Sequence, residues 1–208
     1  MAEFNSYLLG KAKKSVGNIT LCYSRGKNIA KAKIFSRKDN PTPEVLAQRV
    51  KMKPLVQLSR SLLPVIRKGF VGVGNGSTSN AFVAKNMKAI SVSEENVPTI
   101  DFEHLLVSAG VLNPVKVTVA YDEESKMFQF TQESQPEDSG YAFADDQVYG
   151  VLYEVERDRS RWVALRNRGE NGSTAYSLPV EWDGTNVKVY SFATLKRGKE
   201  ASDSRMIL

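Results

Sequence analysis

Apolar and polar positions along the 208-residue chain change period twice. Val16 to Arg25 (VGNITLCYSR) mixes β-branched and aromatic residues, Gly26-Lys27-Asn28 offers a turn, and Ile29 to Phe35 (IAKAKIF) alternates apolar with basic. That pattern predicts a β-hairpin. Strand side chains alternate, so Ile29, Lys31, Lys33 and Phe35 are expected on one side and Ala30, Ala32 and Ile34 on the other. The period then lengthens. Leu46, Val50, Leu55, Leu58, Leu62 and Val65/Ile66 recur at three- and four-residue steps, the signature of a helix with one buried face.

The start of that helix is written in residue types: Thr42 can cap free amides, Pro43 fits the first helical position, and Glu44 suits the positive end of the dipole. Pro54 and Pro64 each remove a helical bond, which predicts two pieces over 43–52 and 54–67, or one helix bent at Lys53. The glycine-rich run Gly69 to Asn80 (GFVGVGNGSTSN) reads as a joint between parts. Beyond it the period returns to two over Pro114 to Tyr121, Met127 to Gln132, Val148 to Glu156, Arg161 to Arg166, Val187 to Thr194 and Ala201 to Ile207. Short strands separated by turn signals about every ten residues predict an antiparallel sandwich or barrel, of which a sandwich of immunoglobulin or fibronectin type is the commonest solution. Glu133 to Ala144 is the stretch that reads as least ordered. The expected fold is therefore α+β and mainly β: a basic hairpin with a kinked amphipathic helix over 1–70, then an immunoglobulin-like β-sandwich over 71–208.

Charge sharpens that division. The chain carries +6 overall, yet residues 1–70 hold 15 Lys/Arg against three acids, or +12, and the remainder 14 against 20, or −6. A basic end of this kind meets a polyanion, docks on an acidic neighbour, or is simply solvated. The candidate partner- or nucleic-acid-binding residues are Lys11, Lys13, Lys14, Arg25, Lys27, Lys31, Lys33, Arg37 and Lys38 in and around the hairpin, with Arg49, Lys51 and Lys53 on the helix. They could reach phosphates and release counterions, but few aromatics are interleaved with them, so the stacking platform of a single-strand binder is missing.

Reaction chemistry finds little support. His104 is the sole histidine, expected in a partly buried strand or short helix, and Cys22 the sole cysteine, so one chain cannot assemble a zinc set, a Ser-His triad or a disulfide framework. Cys22 reads as a small apolar strand residue. The cluster GVGNGST lacks the Gly-Lys-Ser/Thr of a phosphate loop. The carboxylate pairs Glu94-Glu95, Glu123-Glu124 and Asp145-Asp146 sit in polar, turn-like company where solvation explains them. The expectation is no enzyme, no metal, no cofactor and no small-molecule substrate. No run approaches the ~18 apolar residues of a membrane span and the N-terminus lacks a signal-type apolar core, which predicts a cytoplasmically made protein with no membrane partner.

Particular blocks carry a resemblance. VGN (Val16 to Asn18), Arg25-Gly26, NPTPEVLAQR (Asn40 to Arg49), IRKGF (Ile66 to Phe70), SNAF (Ser79 to Phe82) with Asn86, and VKVYSFATLKRGKEASDS (Val187 to Ser204) resemble a domain-of-unknown-function family of about this length, found chiefly in Bacteroidota and in elements that infect or integrate into them. The likeness spans nearly the whole chain, with NPxTxxxxAQR its most distinctive piece. Departures at Val45 and at Arg205-Met206-Ile207 suit a divergent, phage-borne branch. The resemblance implies a non-enzymatic protein with an N-terminal hairpin-helix module and an immunoglobulin-like C-terminal sandwich. Function is then expected to be structural: a virion component such as a neck, tail-connector or capsid-associated subunit, oligomerising through its basic hairpin-helix region, with nucleic-acid binding through the same region as the alternative.

Overall fold

Arg25 and Gly26 both take positive φ (52° and 80°) and join two six-residue strands as a two-residue hairpin turn whose twist matches the strands. The turn thus lies one residue earlier than Gly26-Lys27-Asn28. The computed structural model, describing residues 2–5, 10–36, 39–74, 76–138 and 140–208, adds two more strands to this hairpin. β1 (Ala2–Phe4), β2 (Lys14–Val16), β3 (Ile19–Ser24) and β4 (Lys27–Ala32) form an antiparallel sheet of order β1-β4-β3-β2. This sheet lies in one compact unit, Met1–Thr42, and the rest of the chain, Pro43–Leu208, makes a second.

The boundary corrects the division after Phe70, and side-chain burial gives the reason. Helices α1 (Pro43–Ser61) and α2 (Leu63–Gly69) bury Leu55, Leu58, Leu62, Val65 and Ile66 in one cluster with Val151, Tyr153, Tyr190 and Phe192 of the β-rich body. Removing five such side chains from water is worth on the order of 10 kcal/mol before entropic costs, so the helices belong with the body. Pro54 sits inside α1 without breaking it, and the interruption comes at Leu62. There Pro64 cannot donate to Arg60, and Val65 instead bonds to Leu62 O at 2.9 Å, a three-residue step. Gly69 to Asn80 links α2 to α3 (Thr78–Asn86) inside one unit and is not a joint between units. α3 is capped by Ser77, whose hydroxyl accepts from Asn80 N at 3.2 Å.

Beyond a small hairpin, β5 (Ile90–Val92) with β6 (Pro98–Ile100), seven strands make the sandwich: β7 (Val117–Asp122), β8 (Met127–Gln132), β9 (Gln147–Glu154), β10 (Arg159–Asn167), β11 (Gly172–Ser177), β12 (Val187–Thr194) and β13 (Arg205–Met206). One sheet runs β11-β8-β7 and the other β10-β9-β12-β13. Counted within the sandwich, strands one, two and five face strands four, three, six and seven, an antiparallel two-sheet arrangement of fibronectin type. The fold is α+β and mainly β, as the periodicity predicts.

Strands β9 and β12 are buried on both faces, which explains their near-continuous apolar sequences. Val148, Leu152, Val187, Val189 and Ala193 point between the sheets, while Val151, Tyr153, Tyr190 and Phe192 point to the helices. Gly150 is required because the Phe130 ring occupies the place of a Cβ, 2.8 Å away. Segment 107–112 is stitched to residues 201–204 by Ser108, whose single hydroxyl proton is shared between Ser202 O (2.7 Å) and Gly69 O (2.9 Å), and by Ser204, whose hydroxyl accepts from Val107 N (2.9 Å). The Ser-Asp-Ser block is thus a packing device. Asn86 is another, bonding both ways across Leu106 at 2.7 and 2.9 Å while fully buried.

Candidate interaction surface

Register decides which hairpin side chains share a face. Lys27 and Lys31 of β4 lie opposite Ser24 and Thr20 of β3, on the side of Cys22 and Ile29, and Glu3 of β1 joins them there. The other face carries Phe4, Ala30 and Ala32 with Ile19, Leu21 and Tyr23, extended by Val16, and it also holds Asn28 beside Tyr23 and Lys14 beside Leu21. Since β4 ends at Ala32, Lys33 and Phe35 lie past the strand and do not continue the expected cationic row. Cys22 is half-buried within β3.

No described residue of this unit is buried. Val16 is 70% exposed and Ile19 49%, and beyond the last strand Ile34 and Phe35 exceed 70%. A sheet normally buries one face against a second layer. Among the described residues of the unit, none forms such a buried layer.

The cations are exposed but not gathered on one surface. Lys27 pairs with Glu3 at 3.0 Å, with both groups largely in solvent, where such a pair adds little stability. Lys11 stands 5.2 Å from the Tyr23 ring and Lys33 5.2 Å from the Phe35 ring. The strip preceding β2 is held by Asn28, which donates to Gly10 O at 2.9 Å and accepts from Ala12 N at 3.3 Å. That places Lys11 at the Tyr23 side, away from Lys27 and Lys31. Lys13, Lys14 and Arg25 are exposed, and Arg37 and Lys38 lie outside the described residues. Arg49, Lys51 and Lys53 belong to α1 and hence to the other unit, with Lys51 half-buried.

With the boundary at Thr42, the charge division softens. The first unit carries nine Lys/Arg against two acids, +7, and the body twenty against twenty-one, −1. The body is therefore nearly neutral, and the positive charge density is a property of the sheet unit. The first turns of α1 carry a second apolar strip: Val45, Leu46 and Met52 are each about 40% exposed, and among residues 43–53 none is buried.

Other candidates resolve differently from their sequence context. His104 is exposed and sits 2.8 Å from Asp101, whose carboxyl its ring holds below the ordinary range. The pair lies in solvent, which corrects the expectation of partial burial. Glu94-Glu95 and Glu123-Glu124 are solvated turns as expected, but Asp146 is fully buried and paired with Arg168 at 2.9 Å. Within Glu133 to Ala144, read as the least ordered stretch, Asn113 donates to Asp138 (2.8 Å) and Asp138 bridges Ala142, while Ser139 lies outside the described residues. Asp158, in the β9–β10 turn, is pushed up by burial but held below the ordinary carboxylate range by donors from Ser61, Gln57 and Tyr153. The described residues contain no group of three or more His, Cys, Asp or Glu side chains placed to hold a metal. No helix of the described residues is long and apolar enough to cross a membrane.

One family model matches residues 10–207, and its description is a family of unknown function (DUF6266). No curated protein and no solved structure matches the chain.

Proposed function

We propose that this chain, which belongs to the family of unknown function DUF6266, is a non-enzymatic assembly protein whose N-terminal sheet unit joins it to further copies of itself. The carrying observation is a four-stranded sheet with no buried described residue and an apolar face running through Val16, Ile19, Leu21 and Tyr23. A sheet whose described residues are all at least partly exposed gains stability from a second layer, and a neighbouring subunit can supply one. The exposed turns of α1 offer a second contact of the same chemistry. The resemblance to a phage-associated group favours a virion component, in a neck, tail-connector or capsid-associated position.

Hydrogen exchange across a concentration series tests this reading. Amides of β3 and β4 are expected to slow as the protein is concentrated, because apolar burial in an interface is governed by mass action. Exchange independent of concentration would remove it. The alternative, nucleic-acid binding by Lys11, Lys13, Lys14, Arg25, Lys27 and Lys31, draws on the +7 charge. It predicts affinity falling steeply with salt. Against it, the cations divide between both faces and the turn, where a groove binder would align them.

A further inference from the structure

The loop between β12 and β13 is built to hold cations in a fixed place. Leu195 N bonds to Glu200 O at 3.0 Å, Gly198 N bonds to Leu195 O at 2.7 Å with Gly198 at positive φ, and Thr194 bridges Ala201. The sequence reads KRGKE as a plain turn, yet closure of its base presents Lys196 and Arg197 over a cleft of about 510 Å³. Lys68, near the end of α2, Tyr149 of β9 and Asn167 of β10 line the same cleft. Three cations thus line the cleft against one acid, Asp145, which reaches Lys196 only at 3.7 Å with both groups exposed.

A bulge shapes the floor. Register between β9 and β10 slips between Ala164 and Asn167, so two residues of β10 oppose one of β9, and Gln147 fills the gap by donating to Leu165 O at 2.8 Å. The slip turns Asn167, whose amide is anchored on Glu170 at 3.1 Å, toward the cleft. Next to the lining residues Tyr149 and Lys68, though not itself part of the lining, is Trp162: it meets Tyr149 nearly at right angles, centroids 5.6 Å apart, and the Lys68 ammonium sits over one face of its ring at 4.5 Å and over the Tyr149 ring at 5.2 Å. Trp162 is 38% exposed on an edge strand, which leaves indole surface in solvent beside the cations.

We propose that this cleft binds a nucleotide unit, its phosphate held by Lys68, Lys196 and Arg197 and its flat ring resting on Trp162. Arg and Lys pair with phosphate oxygens, and exposed indole is a stacking surface any base can use. Every residue of the site belongs to the body, so the proposal does not depend on assembly through the sheet unit. A free nucleotide and a single strand share the required chemistry.

Trp162 is a built-in reporter, because the other tryptophan, Trp182, is buried. The full chain is titrated with inorganic phosphate, ATP and a short oligodeoxythymidine while its fluorescence is followed. Saturable quenching by ATP or the oligonucleotide is expected, absent in Trp162→Phe. Lys196→Ala and Arg197→Ala, both in an exposed loop, are each expected to weaken it about tenfold at an unchanged melting temperature. Tighter, salt-steep binding of the oligonucleotide identifies a strand, and preference for ATP identifies a free nucleotide. No quenching by either, an affinity in both loop variants equal to the parent's, or phosphate binding as tightly as ATP would each overturn the proposal.

Discussion

Replacing Arg168 with Met cuts a buried ion pair on one side only. Arg168 is the largest fully buried side chain, its Nε bonds to Asp146 Oδ2 at 2.9 Å, and its terminal nitrogen reaches Asn113 O at 2.8 Å. Asp146 also accepts from Phe143 N at 3.0 Å, while its Oδ1 has no hydrogen-bond partner among the described residues. Three loops, around 113, 143–146 and 168, therefore close on one charge pair. Removing the guanidinium strands a buried carboxylate, which costs about 3–5 kcal/mol. That is a large share of the roughly 5–15 kcal/mol typical of a whole domain. Thermal unfolding followed by circular dichroism should show a drop of about 6–20 °C, taking ~2–4 °C per kcal/mol for a body of this size. Combining Asp146→Leu with Arg168→Met removes both charges and should recover most of the loss. An Arg168→Met protein within about 1 kcal/mol of the parent would refute the view that this pair organises the loops.

Further consequences can be measured on the same protein. Gly110→Ala would drive a methyl into the Ala201 carbonyl oxygen, a backbone atom that also accepts from Leu112 N, so denaturant melts should show a loss of about 1–3 kcal/mol or more. Asp158 accepts from Gln57 Nε2 at 2.9 Å and from Tyr153 OH at 2.7 Å, and its lowered folded pKa means its stabilisation is present above the unfolded value and lost as pH falls through the folded one. Asp158→Asn should therefore cost about 1 kcal/mol at neutral pH, reduced by solvent screening, with the gap to the parent closing below ~pH 4 in urea titrations. Asn86→Leu should destabilise by about 2–4 kcal/mol, since Leu106 N and O would both lose their buried partner; chemical denaturation reads it directly.

Much of this architecture was legible because strand and helix periods are local signals. The hairpins of the sandwich follow alternation at Val115, Val117 and Val119, and the strongly apolar β9 and β12 remained recognisable through their turn residues. α3 was not legible: Ala81, Phe82 and Val83 are consecutive and trace no helical stripe, and only the Ser77 cap marks it. The unit boundary was misplaced because glycines at 69–76 resemble a linker, whereas Gly69 is there to let Ser108 approach within 2.7 Å of where its Cβ would stand. The cations of the hairpin could be named from sequence, but their division between two faces depends on Asn28 holding the strip at Gly10 and Ala12, and the loss of the expected row on β4 ending at Ala32. Neither the Arg168–Asp146 pair, 22 residues apart, nor the gathering of Lys68, Trp162 and Lys196 has any local trace.

The central claim concerns what covers the apolar face of the N-terminal sheet. Sedimentation velocity over a concentration series addresses it directly, comparing the parent with Ile19→Asp, a substitution on that half-exposed face. The account predicts that the parent grows in mass as it is concentrated and that Ile19→Asp stays a single chain. A parent that sediments as one chain at every concentration would contradict it.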